Sequence, residues 1–99
     1  MTTVDAAEQV VTDVWSEVLR VTDLGPDDDF FARGGHSIQA IQTAAALQER
    51  FGVDLPMSLV FEAPTVRLFT AEVRQALAAK VAKLSDDEVR DLLSREPQA

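Results

Sequence analysis

Apolar residues recurring at helical spacing, cut apart by glycine and proline, constrain this chain more than any other feature. Val11, Val14, Trp15, Val18 and Leu19 fall at i, i+3, i+4, i+7 and i+8, one stripe on a helix expected over about 5–20. Trp15 sits mid-stripe and reads as core, and Asp5 followed by Glu8 reads as a capping box. A second helix is expected from Ser37 to Arg50, with Ile41, Ala44, Leu47 and Phe51 inward and Gln39, Gln42, Thr43, Gln48 and Glu49 outward. Gly52 stops it. A turn or two around Leu59 and Val60 follows, with Phe51 and Phe61 as core. Pro64 then breaks the chain and Thr65 caps a last core helix carrying Val66, Phe69, Val73 and Leu77 inward, as far as Leu84. No stretch alternates long enough for a sheet.

Between the first two helices lies a long connection over 21–36, with Gly25-Pro26 and Gly34-Gly35 as breakers. A loop of this length in a compact domain is usually functional or disordered. The adjacent Phe30 and Phe31 argue for order, pinning the loop to the helices and leaving Asp27, Asp28 and Asp29 solvated. At the other end, Ser85-Asp86-Asp87-Glu88 reads as a second capping box, opening a short acidic helix with Val89, Leu92 and Leu93 on one side. The domain expected is therefore 5–80, with 81–99 as a tail.

The 99 residues are 46% hydrophobic, enough for one small core. Absence of Cys excludes disulfides and cysteine zinc clusters, and fits a reducing cytoplasm. A net charge of −8 repels nucleic acid. No apolar run approaches the roughly 18 residues of a membrane span, and no basic-then-apolar leader opens the chain. Met1 fits either a free-standing small protein or a domain cut from a larger one.

Chemistry concentrates at Gly34-Gly35-His36-Ser37-Ile38. A serine at a helix start meets unpaired N–H groups and the positive end of the helix dipole, both suited to a phosphate. Two preceding residues without side chains leave its approach clear. His36 is the sole histidine, and neighbouring residues at a helix start point apart, so a Ser–His dyad is not supported. No Gly-x-Ser-x-Gly elbow occurs. Counting from Asp27, Ile38 occupies the twelfth position where a calcium loop needs a bidentate Glu, so metal binding is not supported either. A nucleophile without a catalyst indicates a carrier rather than an enzyme.

The segment Asp28-Asp29-Phe30-Phe31-Ala32-Arg33-Gly34-Gly35-His36-Ser37-Ile38 resembles the phosphopantetheine attachment motif of peptidyl carrier proteins from nonribosomal peptide synthetases. Arg50-Phe51-Gly52-Val53-Asp54-Leu55-Pro56 and Phe61-Glu62-Ala63-Pro64-Thr65-Val66 resemble the family's second-helix end and last-helix entry. The likeness runs from Ala7 to Leu77. It implies an all-α, four-helix carrier bundle, three helices long and one short, with a long first loop. It also implies that a phosphopantetheinyl transferase attaches 4'-phosphopantetheine from coenzyme A to Ser37, supplying the thiol that a chain without cysteine lacks. Adenylation, condensation, thioesterase or ketosynthase-type domains are the implied partners of a monomeric carrier. Gly35, His36, Ile38, Gln39, Gln42 and Met57 are the residues expected to meet them, with Met57, Val60 and Phe61 partly exposed beside the serine. The sequence departs at Ile38-Gln39-Ala40, where leucines are frequent, and in the neutral exterior of the second helix, which favours apolar recognition over charge steering. Two alternatives stand: an acyl or aryl carrier of a polyketide or siderophore pathway, and an interaction module in which Ser37 only caps a helix. The tail with Val89, Leu92 and Leu93 is a candidate docking peptide for a downstream protein.

Overall fold

A computed structural model describes residues 6–82. The expected cap at Asp5 and the tail residues Val89, Leu92 and Leu93 lie outside the described residues. Within them the chain forms α1 (Ala6–Leu19), α2 (Ser37–Phe51), α3 (Leu59–Glu62) and α4 (Val66–Ala82). There is no strand among the described residues, only an isolated bridge between Asp29 and Thr65. Helix α1 packs against both α4 and α2, and the short α3 packs against α2.

The stripe of α1 does what its spacing dictates: Val11, Val14 and Trp15 are buried, with Val18 and Leu19 packed at the edge. Trp15 organises the centre. Its ring meets Phe30 edge-on at 5.1 Å and Phe69 edge-on at 5.6 Å, the arrangement aromatic quadrupoles favour. Helix α1 closes with Arg20 in the left-handed region (φ 57°) and a bond from Val21 N–H to Ser16 O at 3.1 Å. The later punctuation also behaves as expected. Gly52 takes φ 67° and its N–H donates to Gln48 O at 2.9 Å, while Thr65 Oγ1 accepts the N–H of Leu68 at 3.2 Å.

Several residues lie elsewhere than expected. The buried face of α2 is Ala40, Thr43, Ala44 and Leu47, whereas Ile41 is 45% exposed. Small side chains at 40, 43 and 44 give the i, i+3, i+4, i+7 seam, and the bulkier Ile41 shares the outer face with Ile38. Val60 is fully buried rather than partly exposed. Phe61 is 45% exposed and stacks on Phe31 at 5.3 Å instead of filling the core with Phe51. Asp28 and Asp29, expected as solvated acids, are half-buried and bonded within the loop.

Candidate functional site

The long loop is built, not slack. Phe30 is fully buried, and its N–H donates to Pro64 O at 2.7 Å. Arg67 N–H donates to Pro26 O at 2.9 Å, and its guanidinium pairs with Asp27 at 2.8 Å. Asp29 Oδ1 accepts the N–H groups of Phe31 (2.8 Å) and Ala32 (3.0 Å), the local side-chain turn that short acids form. Asp28 Oδ2 accepts Gly25 N–H at 2.8 Å and an Arg33 N–H at 2.7 Å, and Arg33 also bonds Asp23. The hydrogen bond from Arg33 holds the Asp23 carboxyl below the usual carboxylate range.

Two glycines then lead to α2 for different reasons. Gly34 has φ 101°, a backbone that side chains resist, and open space around it. Gly35 lies against Phe30: a Cβ there would sit 2.2 Å from the ring's Cε1. Its hydrogen atom is what lets the chain cross the buried ring.

His36 is the N-cap of α2, extended at φ −134° and ψ 176°. Its N–H donates to Gln39 Oε1 at 3.1 Å, and Gln39 Nε2 donates to Val18 O at 3.4 Å. Gln39 thereby stitches the start of α2 to the end of α1. Ser37 is the first helical residue, not the cap. Its side chain is exposed, and its hydroxyl makes no hydrogen bond among the described residues. The first helical bond runs from Ala40 N–H to His36 O at 2.9 Å, leaving the amides of Ser37, Ile38 and Gln39 ahead of the ladder.

Apolar side chains are exposed on α2 (Ile38 at 66%, and Ile41), on α3 (Phe61) and in the segment between them (Met57 at 38%). Gln42 and His36 are exposed as well. Of the residues singled out by sequence, Ile38, Gln42, His36 and Met57 are thus open to solvent, while Gly35 and Gln39 are engaged by the fold. Among the described residues no three metal-ligating side chains cluster, and no helix is long and apolar enough to cross a membrane. A groove between α1 and α2 is lined by Val14, Glu17, Val18, Ala46, Glu49 and Arg50, without Ser37. Sequence reasoning missed the Arg33 fork and the Gly35–Phe30 contact. The Asp29 turn carried a signal, an acid followed by amides it can reach, but neither of the others did.

A helical bundle that presents an exposed serine at the first position of a helix has the arrangement of a carrier. Residues 9–73 match the family model described as phosphopantetheine attachment site. The chain belongs to that family, whose cofactor is 4'-phosphopantetheine and whose members are non-catalytic carriers. Surfactin synthase subunit 3 of Bacillus subtilis (strain 168) is 43% identical over 67 residues, covering 68% of this chain and 5% of the synthase. Tyrocidine synthase 3 of Brevibacillus parabrevis is 35% identical over 74 residues, covering 75% of this chain and 1% of that protein. The chain therefore spans only a small part of these curated relatives. Among solved structures, a peptidyl carrier protein in complex with the phosphopantetheine transferase Sfp and coenzyme A is 31% identical, with a TM-score of 0.68, covering 76% of this chain and 97% of that one.

Proposed function

We propose that Ser37 is the attachment residue and that the chain carries aminoacyl or peptidyl intermediates in nonribosomal, or mixed peptide–polyketide, biosynthesis. The observation that carries this reading is the state of the Ser37 side chain, exposed at the first position of α2 with its hydroxyl uncommitted. A phosphodiester there fits the local chemistry. Free amides at the helix start favour negative charge, and the exposed Ile38, next in the chain, offers apolar surface. When bound, the group supplies a thiol on which an acyl chain rides as a thioester.

The work of this chain's own residues is limited to display. The Ser37 oxygen forms one bond to phosphorus as the bond to the departing nucleotide portion of coenzyme A breaks. Its proton leaves to a base that the transferase provides; of the loop acids, Asp23, Asp27 and Asp28 are bonded to Arg33 or Arg67, and Asp29 accepts the N–H groups of Phe31 and Ala32. The complex formed by the 31%-identical carrier supports a phosphopantetheinyl transferase as first partner. Adenylation, condensation, thioesterase or ketosynthase-type domains follow, in the cytoplasm, meeting a monomeric carrier through Ile38, Ile41, Gln42, Met57 and Phe61. Those five side chains are uncharged, which favours apolar and hydrogen-bond recognition over steering by charge. The tail 81–99 starts at the last residues of α4 and runs on outside the described residues, and with Val89, Leu92 and Leu93 it is a docking segment in this reading. NMR signals of 85–99 unchanged by any downstream synthetase protein would remove that part alone.

Intact mass measurement tests the proposal. With coenzyme A and a broad-specificity transferase the chain should gain one phosphopantetheine, and Ser37→Ala should gain none. An unmodified wild-type chain would leave the interaction module as the better reading.

A further inference from the structure

Arg33 stands four residues before Ser37, and its guanidinium is shared between two carboxylates. One arm lies 2.7 Å from Asp28 and the other bonds Asp23, ten residues back. Because Asp28 also accepts Gly25 N–H at 2.8 Å, a single oxygen ties the loop's entry to its exit. The Arg33 N–H donates to Asp29 O at 3.0 Å, which adds a backbone link at the same point. Beyond it the chain depends on Gly34, which has φ 101° and nothing within 4 Å of where a side chain would be. The next fixed point is Gly35 on Phe30. Gly34 joins the loop to the residues that lead into α2: its N–H donates to Phe31 O at 3.1 Å and that of Gly35 to Phe30 O at 3.0 Å, and the Arg33 fork is the side-chain tie on the loop side of that joint. Arginine suits the task because its planar fork meets two carboxylates at once, whereas lysine is a point charge.

We propose that Arg33 is a positioning residue for modification of Ser37. Its fork fixes the turn at 29–34 beside the start of α2, so that the surface a transferase must seat on has one shape. The inference rests on Ser37 being the attachment residue. The Arg33 guanidinium bonds Asp23 and Asp28 and not the Ser37 hydroxyl, so it acts on recognition rather than on the bond-making step. Asp23 is 81% exposed at its side chain, so solvent and salt reach one arm of the fork.

The test compares the full chain with Arg33→Gln, Arg33→Lys and Asp23→Asn, using coenzyme A and a broad-specificity transferase. Arg33→Gln should raise the KM for the carrier about three- to fivefold, the scale of a partly exposed bidentate network, with kcat unchanged. Arg33→Lys should recover part of that. Asp23→Asn should raise KM by about twofold although Arg33 itself is intact, since one of two partners is lost. Amide exchange at Gly34 and Gly35 should quicken in Arg33→Gln. An unchanged KM in Arg33→Gln overturns the inference. So does a raised KM there with none in Asp23→Asn, because Arg33 would then touch the transferase directly. A fall in kcat alone, or loss of cooperative melting, overturns it as well. Wild-type chain that never gains mass would instead sink the assignment of Ser37, so the two failures are told apart.

Discussion

Gly35→Ala is the sharpest perturbation of the fold that presents Ser37. The added Cβ would lie 2.2 Å from Phe30 Cε1, 2.3 Å from Cδ1 and 2.8 Å from the Phe30 carbonyl oxygen. Ordinary contact begins at 3.4 Å, so ring and backbone must separate by more than an ångström. Phe30 has little room to yield. Trp15 and Phe31 press its ring at 5.1 and 5.3 Å, and its N–H is held by Pro64 O at 2.7 Å. Overpacking of this kind costs about 1–3 kcal/mol, and a clash with a fixed ring belongs at or above the top of that range. At about 3 kcal/mol the melting temperature of so small a domain should fall by roughly 12–24 °C. Trp15, the one tryptophan, gives the fluorescence signal. Gly34→Ala is the control: it meets no atoms and should lose only about 1–2 kcal/mol to its left-handed backbone. Phe30→Leu supplies the decisive comparison. In that background Gly35→Ala should cost at least about 1 kcal/mol less, whereas the cost of Gly34→Ala should be unchanged. A Gly35→Ala protein that melts with wild type, or one equally damaged with and without the Phe30 ring, would refute the close-approach argument.

Other outcomes follow from single residues. Thr43 and Thr70 are fully buried with hydroxyls lacking a partner among the described residues, so Thr43→Val and Thr70→Val should each stabilise by about 1 kcal/mol in urea melts. Destabilisation of that size would mean the hydroxyls are bonded. Leu47→Ala should cost about 2–5 kcal/mol while Ile41→Ala stays within about 0.5 kcal/mol, and the reverse order would restore the α2 face read from sequence. The Arg33 hydrogen bond depresses the Asp23 pKa in the folded state, so its stabilisation is complete above the ordinary Asp value and fades as pH falls through the depressed one. Asp23→Asn should therefore lessen the loss of stability on the acid side, below about pH 4, and leave the neutral-to-basic side with the same pH slope. An acid limb identical to wild type would contradict that.

The elements legible in the sequence are those set by local chemistry. Period and punctuation give α1, the Gly52 stop and the Thr65 cap, because each depends on neighbours within one turn. The α2 face differs from its sequence reading because apolarity gives Ile41 weight over Ala40 and Thr43, yet close packing against α1 selects small side chains for the seam. Ser37 reads as the cap because serine is a common one. The extended backbone falls one residue earlier, and His36 takes the position with Gln39 answering its N–H. The loop acids escape a sequence reading because Arg33 meets Asp23 and Arg67 meets Asp27 across 10 and 40 residues, distances at which sequence carries no pairing signal. Likewise, two adjacent glycines read alike in sequence. Only the fold shows that one serves backbone twist and the other serves a ring.

The most direct measurement is localisation of the modification after incubation with coenzyme A and transferase. Trypsin cleaving after Arg33 and Arg50 yields the peptide 34–50, in which Ser37 and Thr43 are the hydroxyl-bearing residues. Fragment masses should place one phosphopantetheine on Ser37, with Thr43 bare because it is buried. The added mass on any other residue, or a bare peptide 34–50 from fully treated protein, would contradict the account.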